Sequence, residues 1–555
     1  MILKQSPLIT LLFSLLGEKR WQIIALTGFA GLLHALLVVI IGAASGSLTQ
    51  GSTFFFRFFV MFLVCVVGYT TMLRLTSRKV IGLLGEWIYT TQRKVAGQLM
   101  RSRLTEFERL ERARLYKSLI ENTDLLMDAT RMMVQASSGL VMVVVSMAYI
   151  FTLSQMAFSL TVIITGAAAF MYSRKQGVIN TYTSKFKKME KLFLCYLDHI
   201  LNGIKELKVN RSRRADLYDK HMYRANQTAQ RIKVKAERMT VENYIFAETF
   251  LLVLIASVVF VLPRFIPTNS ETVLVLCMAI LYVLGPLGQV IGAVPLIFKA
   301  DWAIKDMNEL CKMLDDYDET KEFDPDGRLA RRQGHFDRIE FMDVEFCYPS
   351  AATNGHGFRV QPSSFTLKRG ELVFLVGGNG SGKSTFLKLL TGLYFPDEGA
   401  ILVDDIPVNE TNREAYREMF SVLFADFHLF DRLYGLADLE QAEVTAMLER
   451  MGIADKTGVC RGKFTTLDLS SGQKKRLALA VCLLEDSPVY ILDEVAADLD
   501  PEFRKHFYEE ILPELKAKGK TVVAVSHDDR YFHAADRVVR MDYGSMEPVV
   551  DEEAG

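Results

Sequence analysis

The apolar residues of this 555-residue chain gather in its first 300 positions, in runs longer than a globular core needs. Residues 21–44 are interrupted only by Gln22, Thr27 and His34. As a helix rising 1.5 Å per residue, that run crosses a hydrocarbon layer of about 30 Å. It is too long for a signal-peptide core, and no small-residue cleavage pattern follows it. Further runs cover 53–73, 132–151, 156–172, 245–262 and 273–298. The pattern predicts six membrane-spanning helices, with the third and fourth joined as a hairpin by a very short turn. Pro286 and Pro295 are expected to kink the last. His34, Glu248, Gln135 and Gln289 are the polar residues inside the spans, expected to bond between helices or to face a cavity.

Charge orients the spans. Residues 74–131 carry 12 basic and 7 acidic side chains, and residues 174–238 carry 17 and 6. The opposite connections, 45–52, 152–155 and 263–271, are short, with Arg264 their one cation. The long basic loops are therefore expected on the cytoplasmic side, with both termini. They contain few helix breakers, so the membrane helices should continue beyond the bilayer and turn back near 109–117 and 209–216.

The period changes after residue 312. Residues 314–335 are acidic, then basic, and read as a linker. Beyond them short β-branched runs alternate with helical stretches, which predicts an α/β fold. The apolar run 372–376 leads directly into Gly377, Gly378, Asn379, Gly380, Ser381, Gly382, Lys383, Ser384 and Thr385, and then into a helical stretch. This is the phosphate-binding pattern G-x-x-x-x-G-K-S in its strand–loop–helix setting. Its glycines let successive N–H groups curl around an anion, and the helix start adds partial positive charge. Lys383 is expected on the β- and γ-phosphates of ATP, and Ser384 on Mg²⁺. A second apolar strand, 489–492, ends in Asp493 and Glu494. Asp493 suits holding Mg²⁺ through water, and Glu494 suits polarising the attacking water as general base. A third strand, 522–525, is followed by His527, within reach of a γ-phosphate at the same sheet edge.

Composition narrows the class. With 65 basic and 65 acidic residues the chain has no net charge, so nucleic acid is not an expected partner. Its 7 cysteines are scattered with no C-x-x-C pair, which excludes a disulfide scaffold or a cysteine zinc site.

The segment LSSGQ at 469–473 resembles the signature of ABC ATPases, usually LSGGQ, and stands upstream of the Asp493–Glu494 strand as it does there. ADLD at 497–500 resembles the D-loop, His527 the switch histidine, and Tyr348 the aromatic that stacks on adenine. With six preceding spans, the whole chain resembles a half-size ABC exporter. The resemblance implies a membrane all-α domain of six transmembrane helices over 1–312, a linker over 313–335, and an α/β P-loop ABC ATPase domain over 336–555. It also implies a homodimer in the bacterial inner membrane, in contact with its lipids. Ser470, Ser471, Gly472 and Gln473 of one copy would then complete the ATP site of the other, and the turns near 109–117 and 209–216 would be coupling helices. The segments GGNGSGKST, LSSGQKKR, LDEVAADLDP, KELKVNR and SHDDRYF resemble the bacterial cyclic-peptide exporters. That implies a nonribosomal peptide substrate of siderophore, lipopeptide or lasso-peptide type. A lipid or lipid-linked-glycan flippase, and a membrane sensor that switches a partner, are the alternatives.

Two departures stand out. Ser471 replaces the second signature glycine. Ala425 stands where the family carries the Q-loop glutamine, and Asp426 beside it is the candidate to take over part of that role.

Overall fold

The computed structural model describes residues 6–46, 52–110, 112–265, 270–319, 329, 335–348 and 358–548. The expected linker falls largely outside these residues. The chain divides into two compact units, Met1–Gln92 with Ala113–Glu309, and Arg93–Arg112 with Leu310–Gly555.

The first unit is helical. An amphipathic helix α1 (Pro7–Leu16) precedes the spans. Ser6 caps it, Pro7 occupies its first turn, and the Leu8 N–H and Ser6 hydroxyl both donate to Asp301 Oδ1, at 2.9 and 2.6 Å. Then follow α2 (Arg20–Gly46), α3 (Ser52–Met100), α4 (Leu104–Phe107), α5 (Arg112–Tyr116), α6 (Asn122–Leu153), α7 (Gln155–Asn202), α8 (Ile204–Val209), α9 (Arg211–Ala215), α10 (Tyr223–Ala256), α11 (Leu262–Phe265) and α12 (Ser270–Asp316), of which α4 and the C-terminal ends of α3 and α12 belong to the second unit. Among the described residues six helical stretches are long and apolar enough to cross a membrane: Pro7–Ala44, Phe56–Met100, Arg114–Leu153, Gln155–Asn202, Arg211–Phe265 and Glu271–Asp316. Each overlaps one predicted span. At 48 residues, α7 is about 72 Å long, more than twice a hydrocarbon core. Only Ser154 separates α6 from α7, and its hydroxyl caps α7 by accepting from the Ala157 N–H.

Close approach of helices is built on small residues. A Cβ on Gly31 would meet Ser138 O at 2.6 Å, and one on Gly139 would meet Pro286 O at 3.3 Å. Both prolines lie inside α12. His34 stacks on Tyr69 with ring centroids 4.2 Å apart and meets Tyr282 edge-on at 5.4 Å. Glu248 and Gln289 are exposed on the unit, and Gln135 is partly buried. A cavity of about 300 Å³ opens among α7, α10 and α12, lined by Thr165, Tyr172, Tyr244, Phe250, Leu254 and Ile291 among others, with no charged residue in its lining.

The expected turns are found, with shifts. The first reversal lies at 101–110, earlier than 109–117, because Ser102 forms a β-bridge with Asp318 and the Arg103 N–H donates to Tyr317 O at 3.0 Å. By Arg112 the chain is helical again. The second follows Gly203, which ends α7, and continues through α8 and α9.

The second unit is α/β. Strands β1 (Arg338–Cys347), β2 (Arg359–Lys368), β3 (Leu372–Val376), β4 (Glu398–Val403), β5 (Ile406–Pro407), β6 (Phe420–Leu423), β7 (Val459–Cys460), β8 (Lys463–Phe464), β9 (Val489–Leu492), β10 (Thr521–Val525), β11 (Arg537–Asp542) and β12 (Ser545–Pro548) alternate with helices α13 (Lys383–Leu390), α14 (Arg413–Arg417), α15 (Gln441–Arg450), α16 (Ser471–Leu484), α17 (Pro501–His506) and α18 (Leu512–Ala517). The main sheet runs β12-β11-β3-β10-β9-β6, parallel except for β12. Strands β3, β9 and β10 are buried at every position, which explains why they read as continuous apolar runs. An antiparallel sheet, β2-β1-β4-β5, shares a core with α13 through Phe341, Phe365 and Phe386.

Candidate nucleotide site

Parallel order puts the carboxyl ends of β3, β9, β10 and β6 on one edge of the sheet, where open α/β folds bind ligands. The phosphate loop leaves β3, Asp493 and Glu494 leave β9, His527 follows β10, and Ala425 follows β6.

The loop has a conformation only glycine supports at two points. Gly377 has φ +150°, and a Cβ there would meet Met541 O at 2.2 Å. Gly382 caps α13 at φ +105°, where a Cβ would strike Phe358 at 2.7 Å. The buried Lys383 ammonium donates to loop carbonyls, Gly377 O at 2.9 Å and Gly378 O at 3.0 Å. Among the described residues the buried Ser381 hydroxyl has no partner. A cradle of backbone donors with one ammonium and one orphaned hydroxyl fits the phosphates of ATP. Ser384 lies in the first turn of α13, and Asp493 is buried at the end of β9. An aliphatic hydroxyl and a carboxylate are the oxygen donors Mg²⁺ selects. Burial pushes the Asp493 carboxyl up, and the Ala425 N–H, hydrogen-bonded to it, works against that rise. The charge of Glu494 adds to the rise and Lys383 opposes it.

Glu494 has φ +51°, an uncommon conformation for a residue with a side chain. Its Oε1 lies 3.2 Å from His527 Nε2. A cavity of about 470 Å³ is lined by Tyr348, Phe358, Asn379, Gly380, Gly382, Lys383, Ser384, Thr385 and Glu494. Tyr348 is thus placed beside the loop, its hydroxyl 3.3 Å from Thr385 Oγ1.

The signature residues stand elsewhere. Ser470 caps α16 in a reciprocal capping box: its hydroxyl accepts from the Gln473 N–H at 3.3 Å, and the Gln473 side chain accepts from the Ser470 N–H at 3.0 Å. Ser471 and Gly472 fill the first turn, where backbone N–H groups lack helical partners. The Ser471 side chain is exposed, so a side chain is accommodated there. None of these four residues lines the P-loop cavity of its own chain. Asp426 is exposed, and its charge also raises the Asp493 carboxyl.

Reading the sequence missed several residues of this region. Tyr394 accepts from the Tyr348 hydroxyl at 3.4 Å and donates to Glu108 Oε2 at 2.5 Å. Lys388, on the helix that follows the loop, pairs with Glu108 Oε1 at 2.8 Å. Lys475 bonds the carbonyl of Glu494. Their side chains meet across long stretches of sequence, which no local pattern announces.

The ABC transporter family model matches residues 360–497. The ATP-binding protein SyrD of Pseudomonas syringae pv. syringae is 34% identical over 417 residues, which are 72% of this chain and 71% of SyrD. The ATP-dependent lipid A-core flippase of Burkholderia orbicola is 32% identical over 242 residues, 41% of this chain and 39% of the flippase. A solved bacterial Atm1-family ABC exporter with ATP bound has the same fold, with a TM-score of 0.70 over 96% of this chain and 95% of its own, at 17% identity. Six helices able to cross a membrane, a P-loop sheet edge and these similarities converge: the chain belongs to the ABC transporter family as a half-size exporter, a multi-pass membrane protein whose cytoplasmic ATPase is coupled to transport.

Proposed function

We propose that the chain exports a cyclic or nonribosomal peptide, of siderophore, lipopeptide or lasso-peptide type, across the bacterial inner membrane as a homodimer. The observation that carries the peptide reading is the cavity among α7, α10 and α12. Its lining is apolar and aromatic, with hydroxyls on Thr165, Tyr172 and Tyr244 and no cation to hold an anionic head group. The exporter-type motifs around the P-loop and signature support the same substrate class. A second reading, a lipid or lipid-linked-glycan flippase, draws support from the similarity to the lipid A-core flippase.

On this reading residues 1–312 form the transmembrane domain, 313–335 the linker and 336–555 the nucleotide-binding domain. Gly377 to Thr385 bind the phosphates through their N–H groups, and Lys383 turns its ammonium from the loop carbonyls to the phosphate oxygens. Ser384 and Asp493 hold Mg²⁺, which supplies charge neutralisation for phosphoryl transfer. Glu494 takes the proton of the attacking water, His527 steadies the γ-phosphate, and Tyr348 stacks on adenine. Ser470 to Gln473 of the second copy close the site over the γ-phosphate. Closure reorients the cavity only if ATP binds the closed dimer better than the open one. Inside-out vesicles test the reading by ATP-dependent accumulation of a labelled cyclic peptide siderophore, with Glu494→Gln vesicles as control. Accumulation in the wild type alone is expected. ATP hydrolysis without accumulation, together with lipid translocation, would move the assignment to the flippase.

A further inference from the structure

Two lysines follow the signature, and phosphate binding uses neither. Lys474 is exposed, whereas Lys475 is buried in the first turns of α16. A buried ammonium is costly unless acceptors surround it. Lys475 has two: Nζ donates to the backbone carbonyl of Glu494 at 2.9 Å and pairs with the Asp498 carboxylate at 2.8 Å. These acceptors bracket one short turn, Val495–Asp498, entered from Glu494 in its left-handed conformation. Such a conformation at a residue with a side chain persists where its surroundings fix it. The same helix touches this turn at one further point and the segment just after it at another. A Cβ on Gly472 would lie 3.0 Å from Asp498 O, so helix and turn are already in contact. Arg476 pairs with Asp500 and lies over the ring of Phe503 at 4.2 Å.

The geometry points to Lys475 as a positioning residue for hydrolysis. It holds the backbone of Glu494 so that the carboxylate faces His527 and the P-loop cavity, and it ties that posture to the seating of the signature helix. The inference rests on the proposed roles of Glu494 and of the signature. In a homodimer Glu494 serves the nucleotide of its own chain, while Ser470 to Gln473 serve that of the second copy. Lys475 therefore joins, within one chain, the base of one composite site to the clamp of the other. Engagement of the clamp can reach the base through one side chain. Asp498 alone could not do this, because it has no donor to offer the Glu494 carbonyl.

The test compares steady-state ATP hydrolysis by the full chain, reconstituted in lipid, for the wild type, Lys475→Met, Lys475→Arg and Glu494→Gln. Methionine keeps an unbranched apolar stem, one atom shorter, and removes the donors. It should lower kcat by about tenfold or more with KM for ATP within about twofold, since ground-state binding is untouched. Arginine can still donate to both acceptors and should recover most of the loss. Lys475→Met turning over at the wild-type rate, beside an inactive Glu494→Gln, would overturn the inference and leave the base assignment standing. A rise in KM with kcat unchanged, or an arginine variant no faster than the methionine one, would also overturn it. Full activity of Glu494→Gln would remove the base assignment and this inference with it. If Lys475→Met shows no ATP-induced rise in melting temperature, Lys475→Gln replaces it. That side chain is one atom shorter than lysine and cannot reach both acceptors; the same kcat loss is expected, and wild-type kcat overturns the inference.

Discussion

Ser421 has one hydroxyl proton and two oxygen acceptors in reach: the Cys482 carbonyl at 2.9 Å and the Glu485 carboxyl. The carbonyl lies in the last turn of α16, where helical partners run out. That one proton can go to the carbonyl or to the carboxylate. Burial pushes the Glu485 carboxyl up, and the Ser421 hydroxyl donated to it is a smaller opposing cause. A folded-state pKa raised above the unfolded value gives stability that is full below the ordinary carboxylate range and is lost as pH rises through the raised value. Glu485→Gln keeps the uncharged form at every pH. It should match the wild type near pH 4 and melt higher by about 1–3 °C at neutral pH, a gain limited by the partly exposed carboxyl edge. Melting curves across pH check this, and a lower melting point at neutral pH would show that the fold needs the carboxylate. Ala425 poses a second question at this scale. Its N–H serves Asp493, but its methyl group offers nothing to water or Mg²⁺. If Asp426 supplies the missing group, Asp426→Ala should cost roughly tenfold to a hundredfold in ATP turnover. Unchanged turnover would mean that this position contributes its backbone alone.

Among the elements, the reversal after α3 is part of the ATPase unit. Arg93–Arg112 clusters with that unit rather than with the helices that flank it in sequence. Arg103 pairs with Glu410 at 2.5 Å, and Glu108 bonds both Lys388 and Tyr394. Burial first, then the Glu108 and Tyr348 bonds, push the Tyr394 hydroxyl far up, so it stays a donor at every working pH. A chain of polar contacts thus runs from Thr385 through Tyr348 and Tyr394 to Glu108. Glu108→Gln keeps the shape and removes the charge. It should reduce substrate transported per ATP hydrolysed by about threefold to thirtyfold, the range of mutations along coupled networks. Paired transport and hydrolysis assays on the same vesicles check this, and an unchanged ratio would remove Glu108 from the coupling route. The sequence announces the six spans, the P-loop and the strand before Asp493 because each signal is local and repeated over many residues. It places the reversal late because Ser102 and Asp318, which fix it, are far apart in the chain. The helix Pro7–Leu16 carries a local start signal in Ser6 and Pro7, but its docking depends on Asp301 of the last span. Tyr394, Glu108 and Lys475 are invisible for the same reason: their roles come from partners that only the fold brings near.

For the whole molecule, the decisive feature is that Ser470 to Gln473 do not line the P-loop cavity of their own chain, while each chain has one of each. A two-fold dimer would bring each signature to the other chain's loop and build two identical sites. This predicts complementation between defects. Lys383→Ala removes the phosphate ammonium and leaves the signature intact. Gly472→Asp places a carboxylate where Asp498 O already crowds the helix and leaves the P-loop intact. Each variant alone should be inactive, because every site contains the defect. Co-expressed in equal amounts, about half of the dimers carry one of each, and each such dimer has one wild-type P-loop facing one wild-type signature. Hydrolysis should return to about a quarter of the wild-type rate if the sites fire independently, and to less if they are coupled through Lys475. If signature and loop instead worked within one chain, no pairing could restore a site. Mixtures of the two variants would then stay as inactive as either one.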